Sequence, residues 1–264
     1  MAVDMILNST LTIGIITLNE TDNIKRCIDS AFFANQIIVM DSGSDDDTVF
    51  LAQQLGARVY SETNWQGFAE QRNRLLKHCN TDYIFFLDAD EVISSDLKNE
   101  IQNAVKLNTI QIWETSWLEV AFGRTLHRVR SKKTLPRLFK TSSITGFKGT
   151  VHESAVLIDP TLKRKYFKTP LLHYSRVTIH DSLKKLTQYS MLGASKRLSN
   201  KKKGGVLRGL LSSIWMFVKL YFFRFAFLEG GPGFLYSLFI SLEFFFRQAA
   251  LYYDRDSLHE CIKR

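Results

Sequence analysis

The sequence predicts an α/β protein with a mostly parallel sheet flanked by helices, followed by a C-terminal apolar helical hairpin. Three observations carry this. Short apolar runs of strand length alternate with amphipathic stretches of helix length as far as about residue 108. Those runs are apolar nearly throughout, as strands covered on both faces are, where a half-exposed strand would alternate. The last quarter then changes in composition, with 15 of the 33 aromatic residues lying in 215–253.

Taken in order, LTIGIITLNE (11–20) reads as a first strand running into a polar loop. TDNIKRCIDSAFF follows as a helix, with Thr21 or Asp22 as its N-cap and Ile24, Cys27, Ile28 and Ala31 at helical spacing. A second strand covers 37–40 and ends at Asp41. DDDTVFLAQQLGA is the next helix, stopped by Gly56. ARVYSE is a third strand, GFAEQRNRLLKHCN a helix carrying Arg72 and Asn73, and DYIFFLDADE a fourth strand. Beyond it the pattern loosens into strand-like pieces, TIQIWETSWLEV, LPRLFK and ESAVLI. SNKKKGG (199–205) reads as a linker between this body and the apolar tail.

A chain of 264 residues holds one large domain, or one domain with an appendage. Three scattered cysteines, Cys27, Cys79 and Cys261, give neither a disulfide framework nor a zinc site, which fits a reducing compartment. The first residues lack a basic segment followed by an apolar one, so a cytosolic catalytic part is expected. The net charge of +9 is uneven, because residues 182–228 hold ten Lys or Arg and no acid. The expected division is therefore a body at 8–180 and a basic, aromatic-rich helical region at 181–264.

The fourth strand leaves the core through Asp88, Asp90 and Glu91. Carboxylates at i and i+2 reach a common point at a strand exit, and hard divalent cations take such ligands. Mg²⁺ usually completes its shell with water and substrate phosphates. A lone pair of this kind more often serves a polar turn, since Asp and Glu cap helices and SSDLKNEI starts one nearby. The balance changes because two other polar exits, Thr17, Asn19 and Glu20 after the first strand and Asp41 and Ser42 after the second, lead to the same crevice. A metal-bound nucleotide diphosphate, stabilised as a leaving group, suits such a place. Asp41 reads equally as an acceptor for a nucleobase N–H or ribose hydroxyl and as a capping residue.

ITLNE, VMDSGSDDDT, GFAEQRN and FFLDADE stand in the order and at the spacing of family 2 glycosyltransferases of the GT-A fold, a Rossmann-like α/β architecture. LPRLFK, GFKGTVHE and LLHYS extend the resemblance to the bacterial subgroup that adds glucose to the lipopolysaccharide inner core. The likeness covers about residues 11–175 and continues more loosely through the tail. It implies that Thr17, Asn19, Glu20 and Asp41 hold the nucleoside, with Arg72 near the uracil or diphosphate. Asp88 would contact ribose or metal, Asp90 would ligate Mg²⁺ or Mn²⁺ directly, and His173 would complete metal or diphosphate binding. Glu153 would be the general base of an inverting transfer from UDP-glucose, or another UDP-hexose, to a lipid-linked saccharide. Read without the resemblance, Glu153 and His152 make a surface strand pair and His173 a core histidine. Arg137 either reaches the diphosphate or pairs with a neighbouring acid. The one departure, near Asp47 where many relatives have glycine, falls at a helix start.

The tail holds two segments of about spanning length, interrupted by Lys219 and Arg224 in the first and Glu243 in the second. Gly230, Gly231, Pro232 and Gly233 are expected to break them into a hairpin. Basic charge beside apolar residues suits an anionic membrane surface, so in-plane attachment at the cytoplasmic face of the inner membrane, peripheral or monotopic, is expected. A helical hairpin used for homodimerisation is the runner-up, and a true two-span anchor the less favoured third reading. Nucleic acid is not expected as a partner, because no reading motif accompanies the basic stretch. Two other functions compete. DADEV fits the nucleophile motif of haloacid-dehalogenase-type phosphatases, with Asp88 attacking, although three strands precede it here. A non-catalytic nucleotide-sugar-binding scaffold at the membrane would need no base.

Overall fold

The computed structural model describes residues 9–131, 133–149 and 153–258, so His152 and Cys261 lie outside the described residues. The chain divides into two compact units, Met1–Trp117 with Ser131–His173, and Leu118–Arg130 with Tyr174–Arg264.

The first unit begins with β1 (Leu11–Thr17), α1 (Thr21–Ala31), β2 (Gln36–Asp41), α2 (Thr48–Gln54), β3 (Arg58–Ser61), α3 (Phe68–Lys77) and β4 (Tyr83–Asp88). The short β5 (Glu91–Val92) leads into α4 (Ser95–Lys106) and β6 (Ile112–Thr115). In the second unit the chain forms a hairpin of β7 (Trp117–Ala121) and β8 (Arg124–Thr125), pairing Val120 with Thr125. It returns to the first unit with β9 (Leu135–Lys140), β10 (Ile144–Lys148), β11 (Ser154–Leu157), β12 (Arg164–Tyr166) and the start of β13 (Leu171–Arg176).

A seven-stranded sheet in the order β12-β6-β9-β4-β1-β2-β3 organises this unit. The pairs β1–β2, β1–β4, β2–β3 and β6–β12 are parallel, and β9 runs antiparallel between β4 and β6. The apolar runs are continuous because each face is covered. Tyr83, Phe85 and Leu87 pack with Ile24, Ile28, Leu97 and Ile101 on one side. Ile84 and Phe86 pack with Leu75, Phe139 and Phe147 on the other. Gly14 lets α3 close onto β1, since a Cβ there would stand 2.5 Å from Leu75 Cδ2.

Local differences from the sequence reading have plain causes. The N-cap of α1 is Glu20, whose carbonyl accepts the amides of Asn23 and Ile24, so neither Thr21 nor Asp22 takes that place. Gly56, with φ +81°, follows the C-cap of α2 as expected. Cys27 and Cys79 are buried, unpaired thiols.

The second unit is built on α5 (Ile179–Ser199), α6 (Val206–Val218) and α7 (Gly230–Tyr253). The predicted glycine break is not where the helices part. Gly230, Gly231, Pro232 and Gly233 form the first turn of α7, a position where proline loses no hydrogen bond. Gly233 is needed there because a Cβ would lie 2.0 Å from the Ala226 carbonyl oxygen. The chain turns earlier, through a π-helical turn at Lys219–Phe223 and Phe225 at φ +56°. Residues 200–205 are a non-helical connection rather than a loose tether: the Gly205 amide donates to the Gln248 carbonyl, and a Cβ on Gly204 would stand 2.4 Å from the same oxygen.

Candidate active site

The end of β4 places Asp88 against two guanidinium groups. Its Oδ1 accepts from Arg72 Nη2 at 3.0 Å and its Oδ2 from Arg137 Nη2 at 2.9 Å. Arg72 comes from α3, and its guanidinium carbon lies 5.7 and 5.6 Å from the ring centroids of Phe86 and Phe147. Arg137 comes from β9, is 2% exposed, and also donates to Glu91 Oε1 at 2.5 Å. Glu91 closes the ring by accepting the Asp88 amide on Oε2 at 2.9 Å. Burial pushes the Asp88 carboxyl up, but Arg137 and Arg72 outweigh it and hold this group below the usual carboxylate range. Glu91 goes the other way: burial, with the charge of Asp88 added, raises it to about 7 against the pull of Arg137. One nitrogen on each arginine, Nε of Arg72 and Nη1 of Arg137, is buried without a hydrogen-bond partner among the described residues. Unpartnered buried donors are costly and point to a ligand.

The exits of β1 and β2 form an adjoining polar loop. Asp41, 1% exposed, accepts from the Gly43 amide at 3.0 Å and from the Ser44 hydroxyl at 2.5 Å, so it shapes the turn at 42–44. Gly43 at φ +100° permits that turn. Asn19, also at positive φ (54°), accepts the Asp45 amide and donates its own amide to Ser44 Oγ. The Glu20 carboxylate accepts from Asn23 Nδ2 at 2.6 Å. Thr17 is buried, and its hydroxyl has no partner among the described residues.

Asp90 and His173 meet through the pairing of β5 with β13, which sets His173 opposite Glu91. His173 Nε2 lies 3.3 Å from Asp90 Oδ2, and the imidazole stands edge-on to Trp117. Among the described residues no three His, Cys, Asp or Glu side chains form a ready metal shell. One carboxylate and one imidazole nevertheless fit a divalent ion whose other positions go to water and substrate phosphates. Asp88 already has both oxygens on guanidinium groups. Glu153 approaches the same Arg72 nitrogen as Asp88, with Oε1 at 3.4 Å from Nη2.

The model of the Glycosyl transferase family 2 family matches residues 12–144 of this sequence. The chain belongs to glycosyl transferase family 2. An uncharacterized glycosyltransferase of Rickettsia felis is 31% identical over 261 residues, 92% of this chain and 89% of that protein. The lipopolysaccharide core biosynthesis glycosyltransferase LpsC of Rhizobium meliloti is 26% identical over 262 residues, 96% of each chain. Among solved structures, glucosyl-3-phosphoglycerate synthase of Mycobacterium tuberculosis in complex with Mn²⁺, UDP and glucosyl-3-phosphoglycerate matches 40% of this chain and 43% of its own, at 30% identity and a TM-score of 0.36. That overlap is too partial to bear on substrate or metal. Family membership makes the protein an enzyme and sets aside both the phosphatase and the scaffold.

The partners of three residues of this glycosyltransferase emerge only from the fold. Glu91, the third acid of the strand end, is the buried partner of Arg137. Gln71 is fully buried and donates to Ser42 Oγ and the Glu62 carbonyl, both at 3.0 Å, tying α3 to the polar loop. Asn73 holds β10 through both of its polar atoms, accepting the Phe147 amide at 2.6 Å and donating to the Phe147 carbonyl at 3.1 Å. GFAEQRN was the signal for the latter two, but nothing in it names their partners. Asn73→Ala leaves both Phe147 groups unpaired and is expected to cost about 1–3 kcal/mol of stability, read from the urea midpoint at unchanged m-value.

Proposed function

We propose that this glycosyltransferase moves a hexose, glucose in the first instance, from a UDP-sugar to a lipid-linked saccharide of the lipopolysaccharide-core kind, with inversion. The observation that carries the donor side is the pair of buried arginines at Asp88, each with a nitrogen unpartnered among the described residues. Guanidinium groups suit phosphate oxygens in geometry as well as charge. The length-wide similarity to LpsC supports the acceptor.

In this reading Thr17, Asn19, Glu20 and Asp41 line the nucleoside end, and Arg72 and Arg137 take the diphosphate. Glu153 removes the proton from the acceptor hydroxyl as it attacks the anomeric carbon opposite the nucleotide. Asp90 and His173 would hold Mg²⁺ or Mn²⁺, with Asp88 beside them. A bound divalent cation supplies charge neutralisation for the diphosphate leaving group. The charge balance favours it: Asp88, Asp90 and Glu153, with Glu91 raised to about 7, face the two guanidiniums of Arg72 and Arg137, so a diphosphate would add to an acidic surplus. Residues 8–180 form the nucleotide-sugar-binding catalytic region, and 181–264 attach the enzyme, peripherally or monotopically, to the cytoplasmic face of the inner membrane where such an acceptor resides.

Titration calorimetry with UDP tests the metal arm. Wild-type affinity is expected to fall roughly tenfold or more when a chelator is added, a difference of about 1.4 kcal/mol or more. Asp90→Ala is expected to bind weakly with or without chelator. Affinity indifferent to both changes would overturn the metal assignment.

A further inference from the structure

We propose that the glycosyltransferase meets an anionic membrane surface through one face of α6 and the aromatic turn after it, lying in the plane of the leaflet, while α7 stays within the protein. This rests on the membrane attachment proposed above and names the element that makes it.

The outward stripe of α6 is the apolar one. Leu207, Leu210, Leu211, Ile214 and Trp215 recur at i, i+3, i+4, i+7 and i+8, and all are between 46% and 71% exposed. The opposite side of the helix meets α7 at Gly209, where a Cβ would come within 3.0 Å of the Phe245 ring and carbonyl. Phe223, 65% exposed, continues the stripe beyond the helix. A soluble surface seldom shows a contiguous apolar patch of this extent without a partner. The partner's charge is given by the flanks: residues 182–228 hold ten Lys or Arg and no acid, with Lys201, Lys202, Lys203 and Arg208 at the start of the helix. An apolar stripe bordered by such charge matches anionic headgroups above acyl chains.

Length and pairing decide the orientation. Both Val206–Phe223 and Ala226–Tyr253 are apolar and long enough to qualify as spans by composition, but only 11% of the first is buried in the protein against 39% of the second. Continued through the π-helical turn, the 18 residues of Val206–Phe223 reach about 27 Å, still under the ~30 Å hydrocarbon core, with Lys219 inside that stretch and Arg224 directly after it. In α7, Glu243 is 5% exposed and ion-paired with Arg176, and Glu229 before its first turn is paired with Arg124. Ser237 and Ser241 are buried on the same helix, and α5 packs along it at Ala194, Ala250 and Leu251. One side of the middle of α7 is therefore set against protein through a buried ion pair and buried serines, and α6 carries the more exposed apolar surface.

The full chain is tested by co-sedimentation with phosphatidylcholine vesicles, with and without about a third phosphatidylglycerol. Wild type is expected to bind the anionic vesicles and to be released by salt. Leu211→Glu with Trp215→Glu is expected to lower the partition coefficient roughly 100-fold or more, with UDP affinity unchanged as the check on folding. Should that pair not fold, Trp215→Phe serves: wild-type tryptophan fluorescence is expected to be quenched by brominated lipid, and the quenching to be largely lost in the variant. Wild type bound but the double variant bound equally well, or quenching unchanged in Trp215→Phe, overturns the assignment to α6 and leaves membrane attachment standing. Wild type failing on both vesicles overturns attachment itself. A solution dimer that the double variant dissociates, with no vesicle binding, assigns the stripe to a second copy and overturns the proposal.

Discussion

Glu153→Gln is expected to leave UDP-sugar binding close to the wild-type level while turnover falls by roughly 10²–10⁴. The amide has the shape of the carboxylate, and its oxygen can still accept from Arg72, 3.4 Å away in the native pair. What it lacks is the capacity to take a proton from the acceptor hydroxyl. Calorimetry for the donor beside single-turnover sugar transfer separates the two effects. Turnover within a few-fold of wild type would remove Glu153 from the role of base, whatever the donor affinity. A matching loss of donor affinity would instead assign it to holding Arg72.

Arg137→Met has the largest expected effect on stability. Arg137 is 2% exposed and is the partner both of Asp88 and of Glu91, itself 2% exposed. Removing the cation leaves a buried carboxyl without its counter-charge, at a cost of about 3–5 kcal/mol. For a chain of this size that lowers the thermal midpoint by roughly 6–20 °C. Lysine is expected to restore part of it, because both acids accept from one nitrogen, Nη2, a contact an ammonium can copy, while its compact, strongly hydrated charge is costlier to bury. Scanning calorimetry of the two variants checks the order: wild type, then Lys, then Met. A Met variant as stable as wild type would show that the ring of Asp88, Glu91 and Arg137 does not hold the strand end together.

The first half of the fold was legible because its strands are buried on both faces. A run such as YIFFLD, short and flanked by polar residues, reads as a covered strand, and its alternate residues do enter two separate cores. The acids at its end were legible as a cluster, and Arg137 was read as either a phosphate ligand or an ion-pair partner. What stayed hidden was pairing across distance. Glu91 meets an arginine 46 positions away, and Asn73 a backbone 74 positions away, separations at which no local spacing carries information. The glycine-rich stretch at 230–233 misled for a physical reason. Glycine and proline break a helix in its interior, but they also suit its first turn, and only the close approach of the Ala226 carbonyl to Gly233 distinguishes the two.

The antiparallel strand wedged beside β4 has a consequence for biosynthesis. β4 takes β1 on one side from sequence already made, but its other neighbour, β9, begins at Leu135. While the ribosome delivers the intervening stretch, a ribbon of five buried apolar residues has a bare edge able to template pairing with another nascent chain. Chains stalled or cleaved before residue 135 are therefore expected to associate with one another through that open edge.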